Sequence, residues 1–247
     1  MMKIGNGRGA GRRLPRRLGQ LYLGLVLYGV SMAMMIESRL GLNPWDVLHQ
    51  GLAGQTGLSF GTVTVITGAV VLLLWIPLRQ RPGLGTVSNV LVIGIAVDVS
   101  LALLPGPAAI AARVPLLVSG IVLNGLATGL YVGSRLGPGP RDGLMTGWVA
   151  RHPGHSVRLV RTVIEVAVLG AGWLLGGTVG LGTVLYAVAI GPLVQLFLPL
   201  CTVAPRDADG PPTPSVPSAD DPPTAAEPLS PAAGSPPRAD RAGAGGR

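Results

Sequence analysis

The chain has 247 residues, of which 48% are hydrophobic and only 12% charged, and its mean hydropathy is +0.52. A water-soluble domain carries about a quarter charged residues, so this composition excludes an ordinary soluble globule and points to a membrane as the solvent. The net charge of +8 would suggest nucleic acid on a soluble surface, but its placement along the chain, described below, argues against that partner.

In chain order, a basic segment (1–17) with Lys3, Arg8, Arg12, Arg13, Arg16 and Arg17 precedes the first apolar window, Leu18–Ile36. The paired arginines invite a signal-peptide reading. The window is too long for a typical signal core and lacks a small-x-small cleavage site, so it is expected to be a span. Further windows of about 19–20 residues follow at Phe60–Leu78, Thr86–Leu104, Val114–Gly133, Leu159–Gly177 and Leu181–Leu200, each long enough to cross roughly 30 Å of hydrocarbon. The sequence therefore predicts an all-α integral membrane protein with six transmembrane helices and a loop at 105–113. Residues 201–247, rich in Pro, Ala, Ser and Asp without a periodic apolar face, read as a disordered tail. Cys201 is the only cysteine, which excludes a disulfide framework. Arginine far outnumbers lysine alongside abundant Ala, Gly and Pro, a composition that suggests a GC-rich bacterial genome.

Basic residues cluster in alternate loops. Beyond the N-terminus, Arg79 and Arg81 lie between the second and third windows, and Arg135, Arg141, Arg151 and Arg158 between the fourth and fifth. The intervening loops hold only Arg39 and Arg113. The positive-inside rule then places both termini in the cytoplasm, with the protein in the bacterial inner membrane.

The chain also repeats itself. SRLGLNPWDVLHQG from Ser38 returns as SRLGPGPRDGLMTG from Ser134, and GLVLYG from Gly24 returns as GIVLNG from Gly120, both at a spacing of 96. GLGTV at Gly83–Val87 returns at Gly180–Val184, at a spacing of 97. Two homologous three-span halves, 18–104 and 114–200, follow from this. Because three is odd, the second copy must enter the membrane from the opposite side, giving an inverted repeat.

Within the repeated motif, Asn43 is a good helix N-cap, Pro44 suits the first helical position, and Asp46 falls near the positive end of the helix dipole. Gly139, Pro140 and Asp142 repeat the arrangement with a weaker cap. The stretches that follow are about ten residues long, too short to span. Two readings stay open. They are re-entrant half-helices, one from each face, converging on a midplane site; or they are interfacial helices anchored by Trp45 and Trp148, with Asp46 and Asp142 paired to Arg39 and Arg135.

Asp98 lies deep in the third window, where a charge costs about 2.5–3.5 kcal/mol and must face protein or water. Its repeat counterpart is Gln195. Arg161 and Glu165, four residues apart, can neutralise each other. Asn89 and Asn124 suit helix-to-helix hydrogen bonds, and Gly125, Gly129 and Gly133, like Gly172 and Gly176, suit close helix packing within the monomer or in a homodimer. His49, His152 and His155 lack metal-site spacing and lie in or near loops. No phosphate loop, HExxH or GxSxG is present, so neither a catalytic residue, a metal nor a cofactor is expected.

NPWDVLHQGL, PGLGTVSNVLVIGIAVD, GPGPRDGLM and RTVIE resemble the bacterial multi-pass membrane proteins of the YczE/YyaS/YitT family, nearest its YczE-like branch, over about residues 18–200. The matching positions include Pro44, Trp45, Asp46, Gly85, Asn89, Asp98, Pro140, Arg141, Asp142, Arg161 and Glu165. The resemblance implies an integral membrane protein and assigns no catalytic role. The sequence thus supports a non-enzymatic transporter or permease for a small solute or ion, held in the lipid bilayer. Its expected binding residues are Pro44, Asp46, Asp98, Pro140, Asp142 and Gln195, supported by Arg39, Arg135, Asn89, Asn124, Arg161 and Glu165. The alternative is a membrane scaffold or regulator acting through its cytoplasmic loop and tail, tested by deleting 205–247.

Overall fold

The computed structural model describes residues 8–152 and 154–202, with side chains from residue 14 onward. The extreme N-terminus and the proline-rich tail, including the expected disorder of that tail, lie outside the described residues. Among the described residues every regular element is helical. The elements are α1 (Arg8–Ser38), α2 (Pro44–Thr56), α3 (Phe60–Leu78), α4 (Leu84–Leu103), α5 (Ile110–Gly133), α6 (Pro140–Arg151), α7 (Val157–Leu174) and α8 (Leu181–Cys201).

Five of these, α1, α3, α4, α5 and α8, are long and apolar enough to cross a membrane. The sixth expected span corresponds to α7, which is 18 residues long and carries Arg158, Arg161 and Glu165. The window at Val114 begins inside α5, which starts at Ile110 and shortens the expected loop. Large apolar side chains such as Ile76, Ile95, Leu103, Leu181 and Leu200 lie on the outside. Such continuous apolar surface is unstable against water and suits lipid. This is an all-α membrane protein.

Helix starts follow local chemistry. The Asp46 amide donates to Asn43 Oδ1 at 3.0 Å, and Pro44 opens α2 where no donor is needed. Ser59 caps α3, accepting from Thr62 N at 3.1 Å, and Ser156 caps α7, accepting from Leu159 N at 3.1 Å. Helix ends are turned by left-handed residues, among them Arg39 and Arg135, with φ of 54° and 55°.

Helix α1 packs along α5 and α4, α5 along α8, α3 along α4, α2 against α7, and α6 against α3. Glycines set the close approaches. A Cβ at Gly29 would fall 2.6 Å from Ala96 Cβ, and one at Gly125 would fall 2.7 Å from Leu193 Cβ. Each contact is the repeat image of the other. Two backbone bonds behave alike: Gly85 N donates to Leu136 O at 2.9 Å, and Gly182 N donates to Leu40 O at 2.8 Å. The start of the third long helix in each half therefore rests on the SRLG turn of the other half.

Of the two expected glycine ridges, Gly125, Gly129 and Gly133 face Leu193, Phe197 and Cys201 of α8. Gly172 packs on the α2 backbone, but Gly176 lies past the end of α7 in a turn with φ of 95°, so it does not extend that ridge.

Candidate functional site

All eight helices contribute to a cavity of about 440 Å³, within the range of metabolite-sized binding sites. Both short helices begin at its wall, where Pro44 and Pro140 lie. Neither is long enough to span: α2 has 13 residues and α6 has 12. Their first turns place positions 45 and 141, equivalent in the repeat, against each other. The Arg141 guanidinium carbon sits 4.8 Å from the centre of a Trp45 ring, a cation–π contact. Trp45 is only 6% exposed, so it is an internal residue and not the surface anchor of the interfacial reading. Trp148, by contrast, is exposed and stacks on His152 with ring centres 4.3 Å apart.

Asp46 is fully buried. Its Oδ2 accepts from Asn43 Nδ2 at 2.5 Å. Its Oδ1 lies 3.5 Å from His49 Nδ1 and 3.8 Å from Arg141 Nη2, and no hydrogen bond reaches it. The expected pairing with Arg39 does not form, nor does that of Asp142 with Arg135. Both arginines are exposed in the turns after α1 and α5, too far out to serve the short helices. The Asp142 carboxylate instead accepts from Tyr131 Oη at 3.1 Å. His49 was expected in or near a loop; it is a buried residue of α2, 3.3 Å from Thr64 Oγ1.

Asp142, Asn89, Gln195, Arg161 and Glu165 all line the cavity, and the last two form the expected ion pair at 2.8 Å. Asp98 does not line it. Its carboxylate accepts from Ser59 Oγ at 2.6 Å and from Gly61 N at 2.7 Å, joining α4 to the first turn of α3. The membrane-cost argument correctly turned this carboxylate toward protein, yet its partners are the start of a neighbouring helix. Asn124 is also outside the cavity wall. It donates to Ser31 Oγ at 2.8 Å and accepts from Tyr186 Oη at 3.1 Å, tying α5 to α1 and α8.

The binding residues expected from sequence leave out Trp45, Arg141 and the tyrosines Tyr28, Tyr131 and Tyr186, all of which line the cavity. The signal available for two of them was the repeat itself, which puts Trp45 and Arg141 at equivalent positions next to the retained proline and aspartate. Among the described residues no group of three or more His, Cys, Asp or Glu side chains could hold a metal.

A family model described as a family of unknown function, DUF6198, matches residues 15–199. The chain belongs to this family. It is 42% identical over 179 residues to an uncharacterized protein of Haemophilus influenzae, covering 72% of this chain and 81% of that one. It is 33% identical over 180 residues to the uncharacterized membrane protein YczE of Bacillus subtilis, covering 72% and 83%. It is 26% identical over 182 residues to the uncharacterized protein YyaS of the same organism, covering 72% and 90%. Family membership thus agrees with the YczE-like resemblance carried by the NPWD and PRD motifs. No solved structure matches the chain.

Proposed function

We propose that the protein is a transporter or permease for a small solute or ion, built as an inverted repeat of six spans with both termini in the cytoplasm and α7 as the sixth. The observation that carries the reading is the cavity. Charged and amide side chains from both halves line it, inside a protein whose exterior is apolar. Ionisable groups at membrane depth are costly and mark ligand or ion pathways. Two short helices that start at such a site, in corresponding positions of two halves, are the arrangement from which transporters build binding sites at the bilayer midplane.

The reciprocal contacts support the inverted repeat. So does an inequality between the halves: α3 packs along α4, whereas the equivalent pair α7 and α8 has no comparable packing. In an inverted repeat, exchanging the closed pair for the open one exposes the site to the other side, which is alternating access.

The test is solute flux into proteoliposomes holding the full-length chain, across a panel of small anions, cations and neutral solutes. The expected result is saturable flux of one class, lowered at least about tenfold by Asp142→Asn in protein that remains folded. No flux of any class, with a cellular phenotype abolished by deleting 205–247, would replace transport with the scaffold reading.

A further inference from the structure

Asp46 Oδ1 is a buried acceptor that no hydrogen bond reaches, and two basic side chains share it. His49 Nδ1, from the same short helix, lies 3.5 Å away. Arg141 Nη2, from the short helix of the other half, lies 3.8 Å away. His49 lines the cavity and Asp46 does not, so the imidazole, not the carboxylate, meets what the cavity holds. Packing alone does not call for a histidine here. The repeat puts Met145 at the equivalent position, and that apolar side chain is buried at 4% exposure.

The hydrogen bonds around His49 fix its tautomer. Thr64 Oγ1 has one hydrogen and donates it to Phe60 O at 2.9 Å, so it accepts from His49 Nδ1 at 3.3 Å. Both polar neighbours of Nδ1 are thus acceptors, and the hydrogen of a neutral imidazole belongs on that nitrogen. The lone pair is then on Nε2, where a proton can add. A buried imidazolium needs a counter-charge, and Asp46 Oδ1 is the acceptor beside it.

We propose that His49 and Asp46 form a proton-binding site: a proton from the cavity adds at His49 Nε2, and the imidazolium then donates from Nδ1 to Asp46 Oδ1 in competition with Arg141. Ionisable side chains at membrane depth are the material of proton relays. Because the imidazolium and the guanidinium oppose each other at one oxygen, loading the site loosens the contact between the two short helices, and tightening that contact expels the proton. The proposal rests on the transport reading for its biological setting alone.

The other titratable groups near the pair are Arg141 of α6 and the phenols of Tyr28 in α1 and Tyr186 in α8. Helix α3 presents Thr64 and Phe60, whose ring meets His49 edge-on with centres 5.7 Å apart. Helix α7 meets α2 through Gly172, at Val47 and Leu48.

The experiment is nitrogen NMR of the untagged full-length protein in micelles, with labelled histidine, from about pH 9 to about pH 4.5. His152 and His155 are exposed, and replacing both by Gln leaves His49 as the last of the three histidines. Neutral His49 should carry its hydrogen on Nδ1 and give the imidazolium in one step. Asp46→Asn should raise the proton concentration for half-protonation at least about tenfold. Arg141→Gln, which removes the competing cation, should lower it at least about threefold. A role in packing alone would not shift the titration in opposite directions.

A His49 that stays neutral throughout, a neutral form with its hydrogen on Nε2, or an Arg141→Gln shift in the same direction as Asp46→Asn would overturn the proposal. Arg141→Gln decides alone if Asp46→Asn does not fold. A titrating His49 in protein that moves no solute would remove the transport reading and leave the proton site standing. Flux through protein whose His49 stays neutral would do the reverse.

Discussion

Helices α3 and α4 form one hairpin and α7 and α8 its repeat image, yet only the first is shut. Gly61 of α3 meets the Gly94 carbonyl so closely that no Cβ fits between them, and Asp98 binds both Ser59 and Gly61. The corresponding residues of the second hairpin are Arg158, Gly191, Gln195 and Ser156. Gly191 has open space where a Cβ would stand, Gln195 is exposed, and Ser156 caps only its own helix. The same topology is closed by a carboxylate and two glycines, and left open where an amide replaces the carboxylate and an arginine replaces one of the glycines.

The largest way to break this comparison is at Trp75, the repeat counterpart of Gly172. Trp75 is 2% exposed and fills the space against Gly143 of α6, while Gly172 lets α7 lie against the α2 backbone. Trp75→Ala should cost about 3–5 kcal/mol of stability, read by thermal unfolding in detergent. Next, Asp98→Ala should cost about 1.5–3 kcal/mol, the range for hydrogen bonds to a charged group. Gln195→Ala should stay within about 0.5 kcal/mol, as a substitution away from packed features does. Equal losses at Asp98 and Gln195 would remove the distinction between a shut and an open hairpin. Asn43→Ala should cost about 1 kcal/mol for a lost N-cap, a smaller loss than at Asp98 and a larger one than at Gln195.

Much of this architecture was legible because its determinants are local. Apolar runs gave the long helices, Asn43 and Pro44 gave the start of α2, and Arg161 with Glu165 gave an ion pair one helical turn apart. The repeat gave the correspondence between the halves. What could not be read was which residues cross between them. Asp98 looked like a site residue because burial of a carboxylate has the same sequence signature whether its partner is a ligand or a helix start 37 residues away. Arg141 stood in the sequence only as a family-matching position, because its contact with Trp45 exists only when the two copies face each other. Arg39 and Arg135 were paired with the nearest carboxylates in sequence, and the turns that hold them point those pairings apart.

The crossed backbone bonds carry a consequence for biosynthesis. Gly85 must wait for Leu136, which leaves the ribosome later, so the first hairpin is inserted with its leading amide still unclaimed. Gly182 meets Leu40 already in place. The first half is therefore an unfinished receptor for the second, and a chain halted before residue 136 should be a substrate for membrane quality control even with its first three long helices inserted.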